Sequence, residues 1–335
     1  MAPLLQVRDL RVEVLVGGRL AAAVDGVSFD LAAGESLAVV GESGCGKTLM
    51  ARALLGLTPD AARTEGSIRL RDRELLGSRE EEWRRVRGRE ISLVFQEPGS
   101  AFDPVETIGA QIVEAIRVHR KVDRGEARRV AIERLREVGF PDPARGLTEY
   151  AHRLSGGLQQ RAFLAMALAS DPAILVADEP TTALDATVSA QVLELFDRLR
   201  AARGLALLLI THDLGSVAAH SDRAIVLYAG RVVEEASTAE LFRAPRHPYT
   251  RGLLASVPRV SVPTTNGRRF AAIAGAVPDL ATRPRGVCSF APRCPDRFEP
   301  CDQREPALYR SGESLARCFL YGGTGVGVRD RHGTP

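Results

Sequence analysis

Long apolar runs are missing from the 335 residues: the longest, such as Leu205 to Ile210, fall far short of the roughly 20 residues that a bilayer-spanning helix needs. Met1 to Leu10 lacks a basic stretch followed by an apolar core, so no export signal is expected. Neither sign of charge is in excess. Lys and Arg number 45 against 42 Asp and Glu, a net charge of +3, which gives no footing for a nucleic-acid or membrane-surface role. Aromatic residues make up 5%, and none occurs between Met1 and Ser28. Five cysteines in a chain expected to stay in the cytosol argue against a disulfide framework and towards metal or redox use. Any work at a membrane would need other chains to supply the spans.

What is present is organised around Gly41-Glu42-Ser43-Gly44-Cys45-Gly46-Lys47-Thr48, which follows the G-x-x-x-x-G-K-[ST] pattern of a phosphate-binding loop. Ser36 to Val40 reads as a buried strand before it and Leu49 to Leu57 as a helix after it, the context that the pattern needs. Glycines let successive N–H groups turn inward onto phosphate oxygens, and a helix start favours anions. Lys47 can reach terminal phosphates, and the Thr48 hydroxyl can take one Mg²⁺ position. Cys45 reads as a structural residue, chosen for its small size.

Downstream, Ile91 to Phe95 reads as a strand ending at Gln96, where Glu97-Pro98-Gly99-Ser100 breaks it. An amide there lies outside a strand's carboxyl end, where α/β sheets bind ligands. Trp83 to Arg89 reads as a charged, solvated helix face. Ile108, Ile112, Ala115 and Ile116, then Ile132, Leu135 and Val138, recur at helical spacing and predict a helical insertion. Leu154-Ser155-Gly156-Gly157-Leu158 opens another helix; Ser155 can cap it, and its first N–H groups offer a second anion site. Ala173 to Ala177 is a buried strand followed by Asp178 and Glu179, suited to holding Mg²⁺ and to accepting a proton from water. Leu205 to Ile210 leads to His212, on the same sheet edge as Gln96 and Glu179. Ile225 to Tyr228 and Arg231 to Glu234 predict a closing hairpin. From Ala236 prolines become frequent, marking a loop-rich appendix whose end, Gly322 to Pro335, reads as frayed.

The ordered set GESGCGKT, Gln96, LSGGLQQR, ILVADEP, TTALD and His212 resembles the ATP-binding subunit of an ABC transporter, over residues 4 to about 255. Arg246-His247-Pro248-Tyr249 and the residues to Leu254 are similar to the His-Pro-Tyr segment of oligopeptide and dipeptide import ATPases, a group that includes nickel importers. FQEPGSAFDP and TTALDATVSAQVL resemble the same group. The resemblance implies an α/β P-loop NTPase core (1–255) with a helical subdomain (about 97–166) and a small loop-rich C-terminal domain (256–335). It implies that two such subunits sandwich two ATP molecules, the phosphate loop of one (Gly41, Glu42, Ser43, Gly44, Cys45, Gly46, Lys47, Thr48) facing Ser155, Gly156 and Gly157 of the other. Thr48, Gln96 and Asp178 would surround Mg²⁺. His212 would hold the γ-phosphate and orient Glu179 and its water, and Asp185 would lie in the turn crossing the dimer contact. The partners implied are a second ATPase subunit, identical or different, two membrane permease subunits docking on the helical insertion, and indirectly an extracytoplasmic solute-binding protein, with no nucleic acid. The implied work is to power import of peptides from the cytoplasmic face of the cell membrane, with nickel or another small solute as the alternative cargo. A soluble ABC ATPase of translation or DNA repair would carry two cassettes or a long coiled-coil insertion.

Two features stand apart. The family stacks adenine on an aromatic residue where this chain has Val14, so weak base selectivity is expected, the base packing on Val14 or on an arginine such as Arg19. Cys288, Cys294, Cys301 and Cys318 are separated by five, six and sixteen residues, unlike the short spacing of most structural zinc sites. Four thiolates without a histidine suit iron–sulfur or zinc. Some peptide-importer ATPases hold a [4Fe–4S] cluster on a four-cysteine tail, so the resemblance implies such a cluster here; zinc and unligated thiols stay open.

Overall fold

In Ser36–Val40, Ile174–Asp178 and Ala206–Thr211 every residue is buried. A strand with no exposed residue must lie inside a sheet covered on both faces. The computed structural model, which describes residues 3–182, 184–257 and 273–322, bears this out. In chain order the strands are β1 (Leu5–Val16), β2 (Arg19–Leu31), β3 (Ser36–Val40), β4 (Arg63–Leu70), β5 (Arg73–Glu74), β6 (Ile91–Val94), β7 (Ile174–Asp178), β8 (Ala206–Thr211), β9 (Arg223–Tyr228), β10 (Arg231–Ser237), β11 (Tyr309–Ser311) and β12 (Ser314–Ala316). The main sheet runs β11-β12-β10-β9-β3-β8-β7-β6. Its centre, from β9 to β6, is parallel, and its other edge is antiparallel. A second, antiparallel sheet runs β2-β1-β4-β5.

Alternation along β3 sends its side chains to two cores. Leu37 and Val39 join the second sheet and the helix Lys47–Ala53 on one face, with Met50, Leu54 and Val24. Ala38 and Val40 join Tyr228, Tyr249 and Phe290 on the other. The insertion forms four helices, Ile108–His119, Arg124–Glu137, Pro143–Gly146 and Gly156–Ala167. Ile108, Ile112, Ile116, Leu135 and Val138 are buried in one core with Leu175, Ala177, Leu207 and Leu209 of the sheet, as their spacing predicts, while Ala115 and Ile132 are only partly buried against it. The hairpin β9–β10 also forms, around Ala229 and Gly230 at φ 48° and 80°.

The basic segment after residue 79 differs in one respect from its expectation. Arg84, Arg85 and Arg89 are exposed, but Trp83 is buried against Gly56 with the Arg87 guanidinium over its ring. One aromatic side chain among arginines still finds the core, because its apolar area outweighs the charge of its neighbours. Of the expected frayed end, residues 323–335 lie outside the described residues.

Candidate functional site

The carboxyl ends of β3, β6, β7 and β8 open into one cleft of about 640 Å³, lined by Ser43, Gly44, Gly46, Lys47, Thr48, Leu49, Gln96, Glu179 and His212. The loop between β3 and the first helix forms its floor. Gly46 has φ +105°, and a Cβ there would meet the Ala23 carbonyl oxygen at 2.4 Å. A Cβ on Gly41 would meet the Leu227 carbonyl oxygen at 2.3 Å. Both positions therefore exclude a side chain. The loop is fastened at its back: Gly230 N–H donates to the Cys45 carbonyl (2.9 Å), and Glu42 N–H donates to the Tyr249 hydroxyl (2.9 Å). Cys45 is wholly buried, and burial pushes its thiol up despite the nearby Lys47 charge, as a packing residue requires. The Lys47 ammonium lies inside the loop, donating to the carbonyls of Gly41 (2.7 Å) and Glu42 (3.1 Å).

Asp178, at the end of β7, is 4% exposed. Burial raises its pKa, the Thr48 hydroxyl bonded to it opposes the rise, and the charge of Glu179 adds to it. Its Oδ1 has no hydrogen-bond partner. A desolvated carboxylate with a spare oxygen, touching Thr48 in the cleft that Gln96 lines, is a hard-oxygen donor set that fits Mg²⁺.

Glu179 follows at φ +49°, a left-handed conformation costing about 1–3 kcal/mol in a residue with a side chain. Its N–H stays in the sheet, on the Ile210 carbonyl (2.8 Å), while its carboxylate turns towards the cleft. There Oε2 lies 3.2 Å from His212 Nδ1 and accepts from the Thr182 hydroxyl at 2.9 Å. Thr182 has no separate signal in the sequence beyond lying three residues on.

Ser155, Gly156, Gly157 and Asp185 do not line this cleft. Ser155 occupies the N-cap position of Gly156–Ala167 but makes no capping hydrogen bond, contrary to expectation. It is exposed, so its hydroxyl has no need of the helix amides, which stay uncapped. Asp185 does cap: Oδ1 accepts from Val188 N–H at 3.0 Å at the start of the helix Ala186–Arg203. Val188 packs so closely on Gly157 that a Cβ there would lie 2.9 Å from its Cγ1. The serine-glycine turn and the Asp185 turn thus form one surface.

The His-Pro-Tyr segment is built round a buried carboxylate. Glu234 is wholly buried and accepts the N–H groups of Arg246 (2.7 Å) and His247 (2.8 Å); burial raises its pKa, and the nearby Thr250 hydroxyl and these two N–H donors oppose the rise. His247 accepts Tyr249 N–H at 3.1 Å as the N-cap of Pro248–Ala255, and burial lowers its pKa to about 3, so it works as a neutral acceptor. This chain of contacts delivers the Tyr249 hydroxyl to Glu42, 207 residues away.

Val14 pairs with Ala21 in the first hairpin and is half-buried; tail arginines hold the same hairpin, Arg285 on the Leu20 carbonyl (3.2 Å) and Arg283 on that of Ala22 (2.9 Å). The resemblance implies that adenine sits at this hairpin, where no aromatic face offers a stacking contact, one of about 0.5–1.5 kcal/mol. GTP is therefore expected to compete with ATP within about tenfold of ATP's own affinity, read from its inhibition of ATP hydrolysis. A hundredfold preference for ATP would refute the expectation.

The tail brings the four cysteines into each other's electrostatic field. Burial, then the Asp296 charge and the neighbouring thiols, push Cys294 up to about 11; burial and then the neighbouring thiols push Cys318 up to about 11, and burial raises Cys288. Among the described residues no three His, Cys, Asp or Glu side chains stand together as a metal-holding group. The iron–sulfur expectation thus finds no ligand set here: sequence spacing gathers thiols into one lobe without fixing where their sulfurs point.

A family model described as ABC transporter matches residues 24–182, and one described as oligopeptide/dipeptide transporter, C-terminal region, matches residues 233–301. The dipeptide transport ATP-binding protein DppD of Bacillus subtilis is 44% identical over 323 residues, covering 96% of this chain and 95% of that protein. The oligopeptide transport ATP-binding protein OppD of Mycobacterium tuberculosis is 49% identical over 309 residues, covering 92% of this chain and 50% of that longer one. The solved dimeric post-hydrolysis structure of the ATP-binding cassette MJ0796 with ADP and phosphate superposes with a TM-score of 0.63 at 26% identity, covering 70% of this chain and 98% of that one.

Proposed function

Since the chain belongs to the ATP-binding subunits of ABC transporters, in the oligopeptide and dipeptide branch, we propose that it is the ATPase that powers peptide import through a membrane permease. The observation that carries the reading is the convergence of Lys47, Thr48, Gln96, Glu179 and His212 on one cleft, behind which the His-Pro-Tyr segment fastens the phosphate loop. No described helix is long and apolar enough to cross a membrane, and this reading assigns the spans to permease chains. We place the ATPase at the cytoplasmic face, with residues 1–255 as the motor, the insertion at about 97–166 as its docking face and 256–335 as an added domain.

In this reading the inward N–H groups of residues 43–48 cradle the β- and γ-phosphates, and the Lys47 ammonium leaves its own carbonyls for them. Mg²⁺, held by Thr48, Gln96 and Asp178, would neutralise charge developing on those phosphates. Glu179 takes a proton from the attacking water. His212, with a side chain 59% exposed, faces the γ-phosphate and steadies the Glu179 carboxylate. Ser155, Gly156 and Gly157, turned away from their own cleft, close over the cleft of a second ATPase subunit, and the uncapped amides there meet its γ-phosphate. The Asp185 turn moves with them. Loss of that phosphate by hydrolysis releases the clamp, and the solute-binding protein acts on the permease from the other side.

Uptake of a labelled dipeptide is the test. Cells lacking the chain are expected to lose uptake, wild type to restore it and Glu179→Gln to fail. Unchanged uptake in the deletion strain, with Mg·ATP turnover intact in the purified protein, would sink the peptide assignment and leave the ATPase standing.

A further inference from the structure

Glu42 is the one acidic residue of GESGCGKT, and a carboxylate beside a polyphosphate site repels what the loop must bind. Its charge is met from the far end of the chain. Arg293, in the turn Ala291–Arg293 of the tail, donates Nη1 to Glu42 Oε2 at 2.6 Å and Nη2 to Oε1 at 3.0 Å. The guanidinium is itself held. Nε donates to the Ala274 carbonyl at 2.8 Å, Nη2 also to that of Gly275 at 3.2 Å, and its face lies 5.8 Å over the Tyr228 ring. Arg293 is 5% exposed and Glu42 28%, so this is a fixed, two-pronged pair rather than a solvated surface contact. The N–H of the same Glu42 is fixed by Tyr249.

We propose that Arg293 is a positioning residue for nucleotide binding: it cancels the charge of Glu42 and anchors the start of the phosphate loop, which makes the tail a working part of the nucleotide site. The proposal rests on the ATPase reading above. The rival account is that Arg293 serves the tail alone, by fastening residues 274 and 275.

Full-length protein titrated with a fluorescent ATP analogue and Mg²⁺ separates the two. R293Q leaves a bare carboxylate at the loop and is expected to weaken nucleotide binding about tenfold, with KM for ATP rising in parallel and kcat at saturation within threefold of wild type. Adding E42Q to R293Q removes the uncompensated charge without restoring any contact to residues 274 and 275, and is expected to recover affinity to within threefold of wild type. An R293Q protein that binds like wild type overturns the proposal. So does a double variant no tighter than R293Q, since that outcome assigns the loss to the tail. Should R293Q not yield soluble protein, R293K carries the same comparison: a two- to fourfold loss removed by E42Q supports the proposal, and wild-type binding overturns it. Wild-type protein that neither binds nor hydrolyses Mg·ATP defeats the ATPase reading and this inference with it, whereas normal turnover with an indifferent R293Q defeats this inference alone.

Discussion

Glu179→Gln is expected to lower kcat by about 10²–10⁴-fold, the usual contribution of a general base, while ATP binding is kept. The substitution preserves the shape of the side chain and an oxygen for the Thr182 hydroxyl now 2.9 Å away. It removes the lone pair that accepts the water proton, and it takes the negative charge away from the side chain 3.2 Å from His212. The floor of the cleft, made by Ser43, Gly44, Gly46, Lys47 and Thr48, is untouched. Phosphate release at saturating ATP should therefore collapse, and size-exclusion chromatography with Mg·ATP should show an accumulating ATP-bound dimer. Turnover within tenfold of wild type would show that the base is another group.

The largest expected effect on stability is that of Glu234→Ala, a loss of about 3–5 kcal/mol. Glu234 is wholly buried, and its removal leaves the N–H groups of Arg246 and His247 without their acceptor. Glu234→Gln keeps one carbonyl oxygen and is expected to cost about half as much. Urea unfolding midpoints at constant slope check both. The loss should be accompanied by weaker nucleotide binding, because the turn that Glu234 holds also carries Tyr249 to Glu42. A Glu234→Ala protein within 1 kcal/mol of wild type would mean that the turn is held by something else.

What could be read in advance was what is local. Four to six apolar residues in a row, each followed by a glycine loop, an amide, two carboxylates or a histidine, are enough to place Gln96, Glu179 and His212 on one edge, because parallel strands bring their carboxyl ends together. Contacts between segments distant in the chain were not legible. Nothing near Glu42 announces Arg293, 251 residues on, and nothing in Arg246 to Leu254 says that Tyr249 reaches the phosphate loop. The buried Trp83 and the uncapped Ser155 show tertiary packing overruling local signals. The cysteines show the reverse limit: their spacing makes a cluster plausible without defining a coordination shell.

The short hairpin β11–β12 has a bearing on how the molecule survives in a crowded cell. Glu234 and Glu235 pair with Ala316 and Leu315, and Arg317 N–H donates to the Val233 carbonyl at 2.8 Å, so three residues of tail shield the rim of an eight-stranded sheet. Clipped away by a protease, they would leave β10 with bare donors and acceptors ready to recruit a strand from a neighbouring molecule. Proteolytic trimming before residue 309 thus carries a hazard of self-association, quite apart from any loss of transport.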